Sequence, residues 1–354
     1  MLPNSVSLVR AAFWRLLNFS PDMHQRRFKV ATFNVYNLVL PNVIYYGDRQ
    51  YSAQTFARKQ LWIAGQLAAM DADVVGFQEI FHVEALQQAL NTSKLYANAK
   101  LVAPPPTGTG PMVAMVSRFP VLRHRVYEVF PPEAQLTLDG AAIPIHRFSR
   151  AVLAVDVALA PELECTIFVV HLKSKRPIFP ENVDRNNPLE KAKGQARALI
   201  QRAGEAIALR VILMEFLKNR NYPVILMGDI NDGGQAVTSQ MLSGEAPFRK
   251  TSFEQKQLTW DVLLYHVKDI QARRSYGDYY YTHIHNGHYD SLDHIMVSQE
   301  FVAENPHHIG RVGYVAVLND HLIDDSLSTD GVKLWQSDHG QVVASIELSN
   351  ESKQ

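Results

Sequence analysis

The chain has 354 residues, 47% hydrophobic and 20% charged, which is enough apolar mass for a sizeable core. Lys plus Arg number 35, as do Asp plus Glu, so overall charge singles out no polyanionic or polycationic partner. The one cysteine, Cys165, excludes an intramolecular disulfide and removes any need for an oxidising compartment.

Residues 1–27 read as an N-terminal extension. Arg10 and Arg15 break "MLPNSVSLVRAAFWRLLNF" into pieces shorter than the roughly 7–15 apolar residues of a secretory signal. No run approaches the ~20 residues of a membrane span, so a cytoplasmic location is expected. Strand-like runs begin at "FKVATFNV" (28–35). A helix follows over 52–70, with Phe56, Ile63, Leu67 and Met70 on one face. Then come strands "DVVGFQEI" (73–80) and "PMVAMVSRFPVL" (111–122), with a proline loop at 104–106 between them and another at 131–132. "RAVLAVDVAL" (150–159) and "ECTIFVVHL" (164–172) lead into a second helix over 189–217. Its predicted inner face carries Ala192, Ala196, Leu199, Ala203, Ala206, Leu213 and Leu217. "PVILMGDI" (223–230), "LDHIMVS" (292–298) and "QVVASIEL" (341–348) complete the set. Several runs are continuously apolar, as strands covered on both faces are. Strands mixed with few helices indicate α/β layers, and no linker divides residues 28–354, which are expected to form a single catalytic domain.

The strands end on polar residues. Asn34 and Asn37 close the first, Gln78 and Glu79 the second, His171 and Lys173 a third, and Asp229 and Asn231 a fourth. Asp293 opens one strand, and Asp338 and His339 precede the last. Residues two apart on a strand share a face, so Asp229 with Asn231, and His171 with Lys173, can each address one pocket. Carboxylates and amides are hard oxygen ligands suited to Mg²⁺ or Mn²⁺. Phosphoryl chemistry needs such parts: a metal on the phosphate, a base for water and donors for the developing charge.

In order, "TFNVYNL", "VVGFQEI", "MVSRFPVL", "SRAVL", "VVHLKSK", "ILMGDIND", "SLDHIMVS" and "QSDHGQV" resemble the endonuclease/exonuclease/phosphatase superfamily. These metal-dependent phosphohydrolases include the pancreatic-type deoxyribonucleases, and the resemblance spans about residues 28–348. It implies a four-layered α/β sandwich, two mixed β-sheets packed face to face with helices outside. It also implies that Glu79 is the principal ligand of Mg²⁺ or Mn²⁺, helped by Asn34, with Asp338 a further acidic ligand. Asp229 matches the group that orients or deprotonates water, and Asn231 the one that positions the phosphate. His339 would contact the phosphate while Asp293 holds its tautomer. His171 would contact phosphate or protonate the leaving oxygen. Arg150 matches an arginine that supports the acidic and substrate site, and Lys173 is expected to touch phosphate.

Within the superfamily, "SLDHIM" departs from the Cys-Asp-Arg core of inositol-polyphosphate 5-phosphatases. A lone cysteine cannot make the disulfides of the pancreatic-type nucleases. "VATFNVYNL" lacks the tryptophan-rich first strand of abasic-site endonucleases, whereas "HLKSK" resembles bacterial nucleases. The segment "GPMVAMVSR" has no substrate-orienting asparagine. Residues 171–220 carry 11 Lys or Arg against five acids, a local +6 that fits a nucleic-acid polyanion, although a basic helix is also an ordinary solvated face. The expected function is therefore a Mg²⁺-dependent phosphodiesterase, a nuclease using in-line attack of an activated water. A phosphomonoesterase or lipid-headgroup phosphodiesterase is the alternative. A non-catalytic binding protein would have lost Glu79, Asp229 or His339, and all three are present. His283, His285, His288 and His294 invite a zinc reading, but their aromatic run "YGDYYYTHIHNGHYD" favours substrate contacts or plain surface.

Overall fold

The runs rich in Val, Ile and Phe become two six-stranded sheets in the computed structural model of the chain, which describes residues 27–106, 110–220, 222–247, 250–272, 280–328 and 331–349. Apart from Arg27, the expected N-terminal extension lies outside the described residues.

The first sheet contains β1 (Arg27–Leu38), β2 (Val74–Ile80), β3 (Lys100–Val102), β4 (Met112–Ser117), β15 (Gly310–Leu318) and β16 (Gln341–Leu348), in the order β15-β16-β1-β2-β4-β3. The second contains β5 (Val121–Val129), β8 (Arg147–Ala160), β9 (Leu163–His171), β10 (Val224–Asp229), β11 (Leu264–His266) and β14 (Asp293–Ser298), in the order β11-β14-β10-β9-β8-β5. Two-stranded pairs β6 (Thr137–Leu138) with β7 (Ala141–Ala142), and β12 (His283–His285) with β13 (His288–Asp290), decorate the loops. Both large sheets are mixed: β1 and β2 run parallel, as do β9 and β10, while the other ladders are antiparallel.

Period-two alternation sorts the core into layers. Val30, Val74, Val169, Met227 and Ile295 meet between the sheets. Phe33, Val75 and Phe77 face outward onto helices α1 (Ala53–Met70) and α2 (Val83–Ser93). Phe168, Leu226 and Met296 face the other way, onto α3 (Pro188–Leu217). The result is the expected four-layered sandwich. At its midpoint a Cβ on Gly76 would lie 3.0 Å from Met227 Sδ and 3.1 Å from Val169 Cγ1, so a larger residue there would have to push these side chains aside.

Two local expectations change. The run 111–122 is not one strand: β4 joins the first sheet and β5 the second, because the β2–β4 pairing ends with the Arg118 N–H on Asp73 O and Pro120 has no N–H to extend it. In α3 the expected residues Ala192, Ala196 and Leu199 are exposed. The inward stripe instead runs through Gly194, Ala198, Arg202, Glu205, Leu209 and Ile212. A charged pair on that face inverted the apolar reading, because both charges have partners below the helix. Helix α2 and strand β15 are additional to the sequence reading.

Candidate active site at the rim between the sheets

Parallel strands deliver their carboxyl ends to the same rim, where open α/β sheets hold their ligands. Adjacent registers there pair Asp229 with His171 on one side and with Asp293 on the other. All three continue the inter-sheet faces built by Val169, Met227 and Ile295, so each is a core position made polar. Asn34 continues the face of Val30 on β1 and closes the gap between the sheets: its Nδ2 donates to Asp229 Oδ2 at 3.1 Å. Asn231, at φ +59°, folds back so that its N–H donates to Asp229 Oδ1 at 2.8 Å.

Asp229 is almost wholly buried, and His171 Nε2 and His339 Nε2 lie 3.4 and 3.9 Å from its Oδ2. Burial pushes its carboxyl up to about 7, against the pull of His339. His171 is driven well below the usual histidine range by burial and then by Arg150, so it is neutral at physiological pH. His339 goes the other way. Burial alone would lower it, but Asp293, 2.8 Å from its Nδ1, and Asp229 hold it well above that range. The rim therefore holds one neutral and one charged imidazole around a proton-accepting carboxylate. Thr282 Oγ1 accepts the Asp293 N–H at 3.1 Å and fixes the partner of His339.

On the first sheet, Glu79 sits in the left-handed region at φ +65°, beside Tyr36 and Asn37 at +53° and +54°. Three such residues on the neighbouring ends of β1 and β2, where the register of that pair shifts, are backbone strain gathered at a site. The turn lets the Asn37 N–H donate to Glu79 Oε2 at 2.8 Å and directs the carboxylate away from its strand register. Glu79 is raised by burial and then by the like charge of Asp338. Asp338 Oδ1 is buried without a hydrogen-bond partner among the described residues. A hard carboxylate oxygen left without a partner in this setting is of the kind a divalent cation takes. Asn34 Oδ1 already accepts the Tyr36 N–H at 3.0 Å. Ser337, which the sequence reading did not single out, donates to Asn34 O at 2.7 Å and accepts the His339 N–H at 3.0 Å, tying the last loop to β1.

Arg150 and Lys173 lie at the edge of this centre. Arg150 Nη1 donates to Leu172 O at 3.2 Å, as does Asn231 Nδ2 at 3.0 Å. Lys173 departs from the period-two expectation because β9 ends at His171. Its ammonium turns into its own loop and donates to Ser174 O and Arg176 O, both at 3.0 Å. Beyond them opens a cleft of about 910 Å³. Among the described residues its cations are Arg147, Arg150, Lys173 and Arg176, and Glu128 is its one acid. Prolines 104, 105, 111 and 144 with Ile145 form an apolar wall. The basic helix α3 adds only Gln201 to that lining; its Arg202 instead pairs with Asp232 at 3.2 Å.

Of the four histidines near 283–294, only His283 reaches the centre, its ring 4.8 Å from that of His339 and its Nδ1 2.9 Å from Asp338 O. His294 Nε2 lies 2.9 Å from Asp232 O, behind the Asp229 loop. Among the described residues, the groups whose ligand atoms converge are Asp229 with Asp293 and His339, and His283 with Asp338 and His339.

A sequence profile of the Endonuclease/Exonuclease/phosphatase family matches residues 31–339. No curated protein sequence matches the chain. Solved structures show the same fold at low identity. The human Nocturnin catalytic domain with a bound sulfate anion is 14% identical with a TM-score of 0.53, over 92% of this chain and 95% of that one. The family member from Bacteroides vulgatus is 15% identical with a TM-score of 0.53, over 91% and 99%. D. rerio TDP2 complexed with a single-strand DNA product is 14% identical with a TM-score of 0.51, over 91% and 99%.

Proposed function

The chain belongs to the Endonuclease/Exonuclease/phosphatase family, a family of phosphoric ester hydrolases, and from that premise we propose that it is a Mg²⁺- or Mn²⁺-dependent phosphodiesterase that cuts nucleic acid. The observation that carries this reading is Asp229 at the rim, buried, anchored by Asn34 and Asn231, and flanked by His171 and His339 in opposite charge states.

In this reading Glu79 and Asp338, with Asn34, would hold the divalent ion, which would supply positive charge against that building on the phosphoryl oxygens. Asp229 takes a proton from water as the water oxygen bonds to phosphorus, and a carboxyl near 7 suits a base working at neutral pH. His171, neutral, donates an N–H to a phosphoryl oxygen. His339 carries the proton that the departing oxygen takes as its bond to phosphorus breaks, and Asp293 keeps that imidazole charged and oriented. Asn231, whose N–H and amide are engaged by Asp229 and Leu172, acts by positioning the base. Residues 28–354 are read as one catalytic unit, since the first strand, β1, and the last, β16, pair side by side inside the first sheet.

Two features support a polynucleotide substrate: the four cations of the cleft, and the single-strand DNA product held by D. rerio TDP2. The apolar wall of the same cleft favours a lipid-headgroup phosphodiester as a second reading. No helix among the described residues is long and apolar enough to cross a membrane. The discriminating assay offers plasmid, single-stranded DNA, phosphomonoesters and sphingomyelin, each with Mg²⁺, Mn²⁺ or EDTA. Turnover of DNA that EDTA abolishes is expected, and turnover of monoesters alone would end the nuclease reading. Arg147→Ala and Arg176→Ala should each flatten the salt dependence of DNA binding by about one unit of log–log slope.

A further inference from the structure

Tyr46 stands in the turn between β1 and α1 at φ +43°, followed by Gly47 at +82°. The Tyr45 N–H donates to Arg49 O at 2.8 Å and closes that turn. Consecutive left-handed positions usually hold Asn, Asp or Gly, and a bulky aromatic residue is strained there. Burial does not offset the strain, since Tyr46 is 48% exposed. Its ring leans on Phe81, with centroids 5.5 Å apart at 84°, and on Tyr45 at 6.0 Å. A large flat ring is thus held half in water at a position that a small polar residue would occupy more easily. Strain of that kind gathers at functional sites.

Of the two residues with a benzene ring that line the 910 Å³ cleft among the described residues, Phe148 is buried and Tyr46 is exposed. A second hollow, of about 360 Å³, shares Tyr46 and Arg176 with the cleft and adds Gly47 and Arg49. The ring therefore stands where two cation-lined hollows meet. A nucleic-acid strand carries one phosphate and one flat base per nucleotide, which matches cations flanking an exposed ring. Bases inside a duplex have both faces covered by their neighbours, so only an unpaired strand can lay one on Tyr46.

We propose that Tyr46 is a stacking platform for one base of a single-stranded nucleic acid whose backbone runs from the cleft past Arg176 toward Arg49, and that this ring makes the protein select single strands over duplex. The inference rests on the nuclease reading above and adds to it the residue that chooses the form of the strand.

The test uses the full chain in EDTA, so that no strand is cut, and reads fluorescence anisotropy with three labelled probes. These are a short oligothymidylate, a base-free deoxyribose phosphate strand of equal length, and a duplex. Tyr46→Ala should weaken oligothymidylate binding by about 5–150-fold, the range of one lost base stack, and leave the other two probes within about twofold. Tyr46→Phe retains the ring and should match the unaltered chain on all three. The salt dependence should not move in Tyr46→Ala, because no charge is lost. If Tyr46→Ala does not fold, Tyr46→Asn, which suits a left-handed turn, carries the same comparison; failure of both to fold would make the ring a structural part and overturn the proposal. Similar losses on all three probes would mean a collapsed cleft, and they overturn it, as does unchanged oligothymidylate binding. Loss of affinity for sphingomyelin vesicles in place of oligothymidylate would assign the ring to lipid and also overturn it. An unaltered chain that neither binds single-stranded DNA nor cuts it with Mg²⁺ removes the nuclease reading and this inference together. Normal cutting, with oligothymidylate binding unmoved by Tyr46→Ala, removes only the latter.

Discussion

Glu205 is a carboxylate that touches none of the candidate reacting groups yet holds both walls of the cleft. It is fully buried on α3. Its Oε1 accepts from Ser149 N–H at 2.9 Å, Ser149 Oγ at 2.6 Å and Gln201 Nε2 at 3.0 Å, and its Oε2 accepts from Lys173 N–H at 2.7 Å. Ser149 precedes Arg150, and Lys173 stands two residues after His171, so one side chain sets the approach of two cations. In Glu205→Gln the new carbonyl can face the three donors, which leaves the new NH₂ against the Lys173 N–H. One orphaned buried donor costs about 1–3 kcal/mol, and the remaining bonds lose their charge assistance. The sum is a destabilisation of about 3 kcal/mol. Urea melts should show the midpoint falling at unchanged slope, with kcat/KM on DNA falling in the same preparation as Arg150 and Lys173 lose their anchor. A variant within about 0.5 kcal/mol of the unaltered chain, the range of ordinary surface changes, would falsify the bridging role.

Asp229→Asn should lower turnover by about 10²–10⁴ while Mn²⁺ affinity stays near its original value. The amide oxygen still accepts the Asn231 N–H, but the new NH₂ faces the Asn34 Nδ2 donor, so a loss of about 1–3 kcal/mol in stability is expected beside it. Wild-type turnover in this variant would remove Asp229 as the base. Asp293→Asn takes away the nearest charge holding the His339 proton. Histidine NMR should show that imidazole titrating at lower pH, with turnover down by about 10–100-fold; an unmoved titration would contradict the assignment. His266 is held down to about 3 by burial and His294. Because the unfolded chain binds that proton first, its contribution to stability is whole above about 6.5 and lost as pH falls toward 3, at up to ~1.4 kcal/mol per pH unit. His266→Gln should flatten the acid slope of the urea midpoint between pH 7 and 5, and parallel profiles would count against it.

Some of this site was legible before any tertiary structure. Alternation along a strand is local, so the spacing from Val169 to His171, from Met227 to Asp229 and from Ile295 back to Asp293 already placed three polar groups on apolar faces. The ordered motifs likewise pointed to the family that the sequence profile shows. Glu205 also left a trace: it is a charge inside an apolar helical stripe, beside Ala198, Leu209 and Ile212. That trace marks a buried charge without naming its partner.

What the sequence determined by itself was the alternation and order of the strands, because side-chain facing depends only on neighbours in the chain. Tertiary structure alone decided what each polar group meets. Lys173 turned to its own loop once β9 ended, Asn34 reached across the gap to Asp229, and α3 turned Arg202 and Glu205 inward toward acceptors and donors just beyond the ends of β9 and β10. The reach of Asn34 and the inward turn of Arg202 and Glu205 depend on partners tens to hundreds of residues away, which no local periodicity encodes.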